Sequence, residues 1–206
     1  MANTPSIRRA LGLQILNSSH RDIKRLKQEG YVAELHGNKF WNSSFLLMNH
    51  LKKHPLRKNA RVLEIGCGWG LLGIFCAKNF SARVTGVDAD KNVFPFLKLH
   101  SELNGVKVKT EKSSFEQLTQ NWLSNFDVIL GSDICFWDDM SIILYNLIRR
   151  SLRAGVKQII ISDPCRSPFT DLANRCQERL PNAYTVKRRM SKPVRASGEL
   201  LIVDHE

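Results

Sequence analysis

Closely spaced glycines behind a short apolar run are the feature that most constrains the fold of this chain. Residues 61–65 predict a short buried strand, and they are followed by Gly66, Gly68 and Gly70 and by a helical pattern from Leu71. Glycines at this point let a ligand approach the backbone, and the helix behind them offers free N–H groups. The sequence therefore predicts a ligand site at the carboxyl end of this strand.

Strand and helix patterns alternate over most of the chain. Strands are predicted at 61–65, 84–87, 106–110, 126–131 and 156–162, and helices at 71–78, 93–104 and 140–152. This alternation implies parallel pairing through right-handed crossovers, with helices on both faces of one sheet. Two further strands, at 183–190 and 199–203, predict a terminal hairpin. The expected fold class is α/β, a doubly wound Rossmann-like sheet that is mostly parallel and ends in a C-terminal antiparallel hairpin.

The residues before this alternation predict an N-terminal helical extension. Apolar residues at helical spacing among basic ones predict a helix over the first ~30 residues: Leu13, Leu16, Ile23 and Leu26. A second helix is predicted around 45–51, with Asn42 or Ser43 as its N-cap. The 206 residues fit a single domain, with 1–58 as the extension and 59–206 as the core.

Charge and composition narrow the function classes. The chain has 31 Lys and Arg against 19 Asp and Glu, a net charge of +12, which predicts attraction to nucleic acid, acidic protein surfaces or anionic lipid. No apolar run approaches the ~18–20 residues of a membrane helix, and the amino terminus lacks a signal-peptide pattern. The five cysteines show no C-x-x-C pair, so neither a disulfide framework nor a metal site is predicted. A cytoplasmic protein without membrane contact is expected.

Asp88 and Glu64 bear on which ligand the glycine loop holds. Asp88 follows Gly66 at close to the ~20-residue distance at which a carboxylate accepts hydrogen bonds from ribose hydroxyls. Gly68–Gly73 also satisfies the G-x-G-x-x-G spacing of a dinucleotide site, which makes a nicotinamide-dependent oxidoreductase one interpretation. However, 206 residues leave little room for a second nucleotide-binding half and a substrate domain. Glu64 would repel a pyrophosphate, but it can serve a cationic, phosphate-free sulfonium cofactor or orient the loop.

At these residues the sequence resembles the class I, seven-β-strand S-adenosylmethionine-dependent methyltransferases. Glu64-x-Gly66-x-Gly68-x-Gly70 is similar to their first motif, and Asp88 is similar to the acidic ribose ligand of their second. Within them, the chain resembles the lysine methyltransferase-like and nicotinamide N-methyltransferase-like group. The segments that carry this narrower resemblance are Trp41–Ser44, Leu63–Ile74, Leu99–Gly105, Asp133-x-x-Phe136 and Asp163–Arg166.

The resemblance implies S-adenosylmethionine as the cofactor and a role for each matching residue. The implied cofactor-binding residues are Trp41, Glu64, Gly66, Cys67, Gly68, Asp88, Ser114, Phe115 and Asp133. Asp88 would bind the ribose, and Trp41 would close over the cofactor. Ser114 and Phe115 would lie at the adenine, where the family often has Asp-Trp, and a serine accepts a weaker hydrogen bond than a carboxylate.

Asp133 and Phe136 are the candidate catalytic residues, because the resemblance places them at the reacting methyl group. A carboxylate at the end of the fourth strand can orient an incoming amine and stabilise its developing cation. A ring at Phe136 can line an amine channel. The alternatives are that Asp133 begins the next helix, together with Asp138 and Asp139, and that Phe136 is a core residue.

Two acceptor classes are disfavoured by what the sequence lacks. RNA cytosine-5 methyltransferases use cysteines near the positions of Cys135 and Cys165. Cys135 lacks the Pro-Cys dipeptide of those enzymes, and by the resemblance Cys165 stands where similar bacterial proteins have glycine, so both are expected to pack as small residues. The Asn-Pro-Pro-Tyr signature of adenine or glutamine amide methylation is replaced by Ser132–Cys135. By resemblance, the preferred acceptor is a lysine of an acidic or lysine-bearing protein partner. The alternatives are RNA, a small amine, or a basic nucleic-acid-binding module that keeps the fold without catalysis.

Overall fold

A computed structural model describes residues 6–205 of the chain. The strands are β1 Ile7–Ala10, β2 Leu13–Leu16, β3 Arg61–Ile65, β4 Arg83–Asp88, β5 Val108–Lys112, β6 Val128–Ser132, β7 Gln158–Asp163, β8 Ala183–Met190 and β9 Ala196–Asp204. The helices are α1 Arg21–Gln28, α2 Ser43–Lys53, α3 Leu71–Phe80, α4 Phe94–Leu103, α5 Gln120–Leu123, α6 Met140–Arg153 and α7 Ser167–Arg179, with a short 3₁₀ turn at Lys91–Val93. Within this described part, no helix has the length and apolar character needed to cross a membrane.

The strands from β3 to β9 form one seven-stranded sheet in the order β5-β4-β3-β6-β7-β9-β8. The first five strands of that order pair in parallel, whereas β9 runs antiparallel to both β7 and β8. The predicted α/β class, the mostly parallel sheet and the terminal antiparallel hairpin are therefore confirmed. The strand order reverses beside β3 and β6, and in such sheets the ligand crevice lies at the carboxyl ends of the strands at the reversal.

Helices cover both faces of the sheet, because its central strands are apolar on both sides. Val62 of β3 packs into a core with α2 and α3, and the next residue, Leu63, packs into a second core with α6 and α7. Phe45 and Leu47 of α2 are fully buried in the first core. The helix predicted as part of the extension therefore packs as a layer of the core and fixes the residues that precede it against the sheet.

The predicted amino-terminal helix is wrong where β1 and β2 lie. These strands pair antiparallel and turn at Leu11 and Gly12, whose φ angles are 50° and 82°. Two consecutive left-handed residues are what a tight two-residue hairpin turn requires. Leu13 and Ile15, two positions apart, are both buried, as in a strand that packs one face on a core. This strand spacing, and not the helical spacing of the leucines, describes the segment. The prediction holds for α1, and residues 1–5 lie outside the described residues.

Helix α7 has no counterpart in the sequence predictions. Its first turn contains Pro168, and proline is tolerated there although it breaks a helix further in. Phe169, Leu172, Ala173 and Cys176 are its buried apolar residues, and their spacing is the helical pattern that could have identified it. The helix packs against α6 and completes the second face of the sheet.

Candidate active site

A cavity of about 300 Å³ opens at the carboxyl ends of β3 and β6. Its walls come from the segment before α2, the loop between β3 and α3, the ends of β4 and β5, and the loop after β6. All the predicted site residues lie in these walls: Trp41, Glu64, Gly66, Cys67, Gly68, Asp88, Ser114, Phe115, Asp133 and Phe136. The fold therefore brings together residues that the sequence predicted separately.

The glycine loop exposes its backbone to this cavity. Gly66, Gly68 and Gly70 all have a positive φ, of 59°, 50° and 70°. A Cβ on Gly66 would lie 2.5 Å from Cγ2 of Ile134, whereas a Cβ on Gly68 would meet no atom within 4 Å. Gly66 is thus required by close packing as well as by its positive φ. Gly68 is required by its positive φ, and the space in front of it is open.

Asp88 holds the loop and keeps capacity for a ligand. Its Oδ2 accepts a hydrogen bond from the Gly68 N–H at 2.9 Å, and its Oδ1 accepts one from the Asp90 N–H at 3.0 Å. A carboxylate offers about four lone-pair sites, so acceptor sites remain on both oxygens. Burial raises the pKa of Asp88. Asp90 caps the following turn by accepting a hydrogen bond from the Asn92 N–H at 2.9 Å.

Glu64 lies under the start of α3. Its Oε2 accepts a hydrogen bond from the Gly73 N–H at 2.9 Å, and a Cβ on Gly73 would lie 2.6 Å from the same oxygen. Burial raises the pKa of Glu64 to about 8. Of its two predicted roles, the structure displays orientation of the loop and helix. Service to a cationic ligand stays a prediction.

Ser114 and Phe115 form the wall that follows β5. The Ser114 N–H donates to Oε1 of Gln117 at 3.1 Å, and within residues 6–205 its hydroxyl has no hydrogen-bond partner. The Phe115 ring lies against Gly66, with Cζ 3.7 Å from the position that a Cβ there would take. A polar hydroxyl beside a ring is a suitable surface for a heteroaromatic ligand.

Aromatic side chains from two segments meet at the mouth of the cavity. The His36 ring stacks on Phe136 with centroids 3.9 Å apart, and Trp41 meets Phe136 edge-on at 5.3 Å. The Trp41 indole N–H donates to the His36 carbonyl at 2.9 Å. The guanidinium of Arg166 lies 4.4 Å from the Phe136 centroid. Phe136 is therefore a wall residue whose cation contact is made by the protein's own Arg166.

Asp133 ties three elements together at the same mouth. Its Oδ2 accepts from the Ser43 N–H at the start of α2, at 3.0 Å, and its Oδ1 accepts from Nη1 of Arg166, at 3.0 Å. The same Nη1 donates to Oδ2 of Asp163 at 2.7 Å. Both carboxylates are buried and share one guanidinium. Asp133 does not begin the next helix, since α6 starts at Met140.

A second, larger cavity of about 1,200 Å³ meets the first where Lys39, Phe40, Trp41 and Asp133 line both. We call it the basic groove. Its other basic side chains come from distant parts of the chain: Arg8, Arg166, Arg189 and Arg195. The basic bias is visible in the sequence, but the groove is not, because no local motif links these residues.

The two cysteines considered as nucleophiles are unsuited to that role. Cys135 is buried, and burial raises the pKa of its thiol, so a thiolate is disfavoured. Cys165 is exposed and has a φ of 76°, a left-handed conformation that glycine adopts most easily, and the pKa of its thiol is also raised, by desolvation and by nearby carboxylates. The expectation that Cys165 packs as a small residue is therefore replaced by a left-handed turn position.

Comparison with known proteins finds similarity to methyltransferases over part of the chain. Residues 62–155 match the family model described as a methyltransferase domain. The chain is 26% identical over 132 residues to the electron transfer flavoprotein beta subunit lysine methyltransferase of Xenopus laevis, covering 64% of this chain and 53% of that protein. It is 34% identical over 134 residues to the histidine protein methyltransferase 1 homolog of Dictyostelium discoideum, covering 61% and 42%. A ubiquinone biosynthesis O-methyltransferase of Nitrosococcus oceani is 29% identical over 107 residues, covering 52% and 43%.

The chain spans about half the length of these relatives. Solved structures share its fold at low identity. The tRNA (uracil-54, C5)-methyltransferase of Pyrococcus abyssi, in complex with S-adenosyl-L-homocysteine, has a TM-score of 0.63 at 18% identity and covers 95% of this chain and 42% of that one. The ribosomal protein L11 methylase of Lactobacillus delbrueckii subsp. bulgaricus has a TM-score of 0.59 at 19% identity, with 81% of each chain covered. These likenesses concern the fold.

The residues that line the cavity suit S-adenosylmethionine. Asp88 keeps acceptor capacity for ribose hydroxyls, and the space in front of Gly68 is open. Trp69 lines the same cavity, and its buried indole N–H has no acceptor within residues 6–205. The predicted cofactor is confirmed by the family match, and the nicotinamide interpretation is set aside.

Proposed function

We propose that this protein, which carries a class I S-adenosylmethionine-dependent methyltransferase domain, transfers methyl groups to lysine side chains of proteins. One observation carries the choice of acceptor. Asp133 lies at the junction of the cofactor cavity and the basic groove, with the rings of Trp41 and Phe136 beside it. A carboxylate flanked by aromatic rings suits an alkylamine, because the carboxylate attracts the amino group and the rings offer an apolar surface to the alkyl chain.

The residues at this junction support transfer to nitrogen. S-adenosylmethionine, when bound, supplies a methyl group activated by a positive sulfur. The remaining lone pairs of Asp133 can accept an N–H of the incoming amine and place its nitrogen in line with that methyl. As the lone pair of the neutral amine takes the methyl group, the bond from that methyl to sulfur breaks, a neutral thioether leaves and the positive charge passes to nitrogen, where the fixed carboxylate would stabilise it. The rings of Trp41 and Phe136 exclude water from the same place.

Relatives with protein substrates support the same choice. The matches include a lysine methyltransferase and a histidine protein methyltransferase, by the names those proteins carry. RNA is a second candidate acceptor, because the net charge is +12 and the basic groove is rich in arginine. The two candidate acceptors are distinguished by whether protein or RNA receives the methyl group.

The test is transfer of a labelled methyl group from S-adenosylmethionine into a cell extract, followed by protease or ribonuclease treatment. We expect label that is lost to protease alone and recovered as methyl-lysine after hydrolysis. Label lost to ribonuclease would move the assignment to RNA, and label in neither polymer would contradict transfer to a macromolecule.

Asp133→Asn should lower this transfer at least about tenfold while leaving cofactor affinity within about twofold. The matched control is Asp138→Asn, the same change at an exposed carboxylate on the following loop. It should leave both quantities unchanged. Equal loss of transfer and of cofactor affinity in Asp133→Asn would instead assign Asp133 to cofactor binding or folding.

A further inference from the structure

We propose that the basic groove binds an acidic segment of the protein substrate and so delivers a lysine in an acidic context to Asp133. This inference rests on the proposed function and names the substrate class of the same site. The groove is the larger of the two cavities, at about 1,200 Å³, and it opens directly onto the junction where Trp41 and Asp133 lie.

Four of the cations of this groove form no ion pair in the described part of the chain. Within residues 6–205, no carboxylate lies within salt-bridge distance of Arg8, Lys39, Arg189 or Arg195. The acidic lining residue is Asp133, which is buried and already paired with Arg166. The groove therefore presents unneutralised positive charge around a concave surface, and such a surface attracts anions.

The fold assembles this charge from separate elements. Arg8 lies on β1, Lys39 on the segment before α2, Arg189 on β8, and Arg195 just before β9. Bringing like charges together around one concavity costs electrostatic free energy when no anion is present. An anionic ligand in the groove removes that cost, and its binding is then sensitive to salt.

The aromatic rings of the groove favour an acidic peptide over a nucleic acid. Single-stranded nucleic acids bind proteins by stacking bases on free aromatic faces. Here the guanidinium of Arg8 lies 5.7 Å from the Phe40 centroid, and Nζ of Lys39 lies 4.3 Å from the Trp41 centroid. Both rings thus already carry a cation, which leaves charge rather than stacking as the recognition chemistry.

The test uses the full chain and a fluorescent peptide of glutamates around one central lysine, with binding measured by anisotropy. We expect binding that weakens with salt and that falls at least about tenfold in Arg189→Glu/Arg195→Glu. The matched control is Lys107→Glu/Lys109→Glu, the same charge change beside and on β5, at the opposite edge of the sheet. It should change affinity by less than about threefold.

Two results would overturn the inference. Equal weakening in the groove variant and in the β5-edge variant would reduce the effect to overall charge. Tighter binding of an oligouridylate of the same net charge, lost in the groove variant, would assign the groove to nucleic acid.

This binding experiment is independent of catalysis, so it separates the two proposals. If Arg189→Glu/Arg195→Glu leaves peptide binding unchanged while methyl-lysine is still formed in the extract, the inference that the basic groove binds the substrate is wrong and the proposed function stands. If that variant specifically loses peptide binding but the unmodified chain forms no methyl-lysine, the proposed function is wrong. The inference about the substrate of that function is then wrong as well.

Discussion

The cofactor cavity and the basic groove meet at Asp133, yet they are built in different ways. The cavity is centred on the glycine loop, where Gly66, Gly68 and Gly70 lie close together in the sequence and expose their backbone. The groove depends on long side chains that folding collects from the two ends of the chain, as with Arg8 and Arg195. A motif can reveal the first kind of site, whereas the second kind requires the three-dimensional structure.

The largest effect is expected where the two sites join. Arg166→Ala leaves the buried carboxylates of Asp133 and Asp163 without their shared cation and should lower the free energy of unfolding by ~3–5 kcal/mol. The matched control is Arg61→Ala, because the pair Arg61–Asp127 is roughly 40% exposed and should be worth at most ~1 kcal/mol. Urea unfolding measures both. Similar losses in the two variants would contradict a special role for the Arg166 junction.

The next effect separates the cavity from the groove. Asp88→Asn removes the charge that the ribose hydroxyls would meet and should weaken cofactor binding by ~1.5–3 kcal/mol. Calorimetric titration with S-adenosylhomocysteine measures this change. Unaltered affinity would mean that the ribose ligand is misassigned.

Glu64 makes the stability of the cavity wall depend on pH. Burial raises the pKa of Glu64 from 4.5 to about 8, so the native state holds a proton that the unfolded state has released between these values. The contribution of Glu64 to the free energy of unfolding is therefore full below about pH 4.5 and declines as the pH rises towards 8, by up to ~1.4 kcal/mol per pH unit.

Glu64→Gln removes that decline, because glutamine does not titrate. From pH 5 to pH 8 the unmodified chain should therefore lose more stability than the variant. Thermal unfolding across this range, without cofactor, measures it. A difference that stays constant with pH would show that Glu64 is already ionised in the native state.

The smallest effect distinguishes a glycine that faces a ligand from one that faces solvent. Gly68 and Gly105 both have a positive φ, and a Cβ on either would meet no atom within 4 Å. Alanine at each should therefore cost ~1–2 kcal/mol of stability. Only Gly68→Ala should also weaken cofactor binding. Equal cofactor affinity in the two variants would place the cofactor away from Gly68.

The central sheet and the cavity residues could be predicted because their signals are local. The strand at 61–65 is a short apolar run with glycines directly behind it, and Asp88 ends the next strand. Parallel strands end at one edge of a sheet, so both segments had to lie together there. The place of Asp133 in the cavity was implied by the resemblance to the methyltransferases.

The rest depends on contacts between residues far apart in sequence. Leu13 and Leu16 satisfy a helical spacing, but the turn at Leu11 and Gly12 folds them into a hairpin. The pairing of Asp133 with Arg166 and with the Ser43 N–H joins three elements and has no local signal. The basic groove is inaccessible to sequence reasoning for the same reason.

The cofactor cavity and the basic groove are proposed to bind different molecules on the two sides of one junction. Crossed titrations test this division most directly. S-adenosylhomocysteine and the glutamate–lysine peptide would each be titrated into Asp88→Asn and Arg189→Glu/Arg195→Glu. We predict that Asp88→Asn loses affinity for the first ligand alone and that the arginine variant loses affinity for the second alone. Loss of both ligands in either variant would contradict the division of the site into a cofactor cavity and a substrate groove.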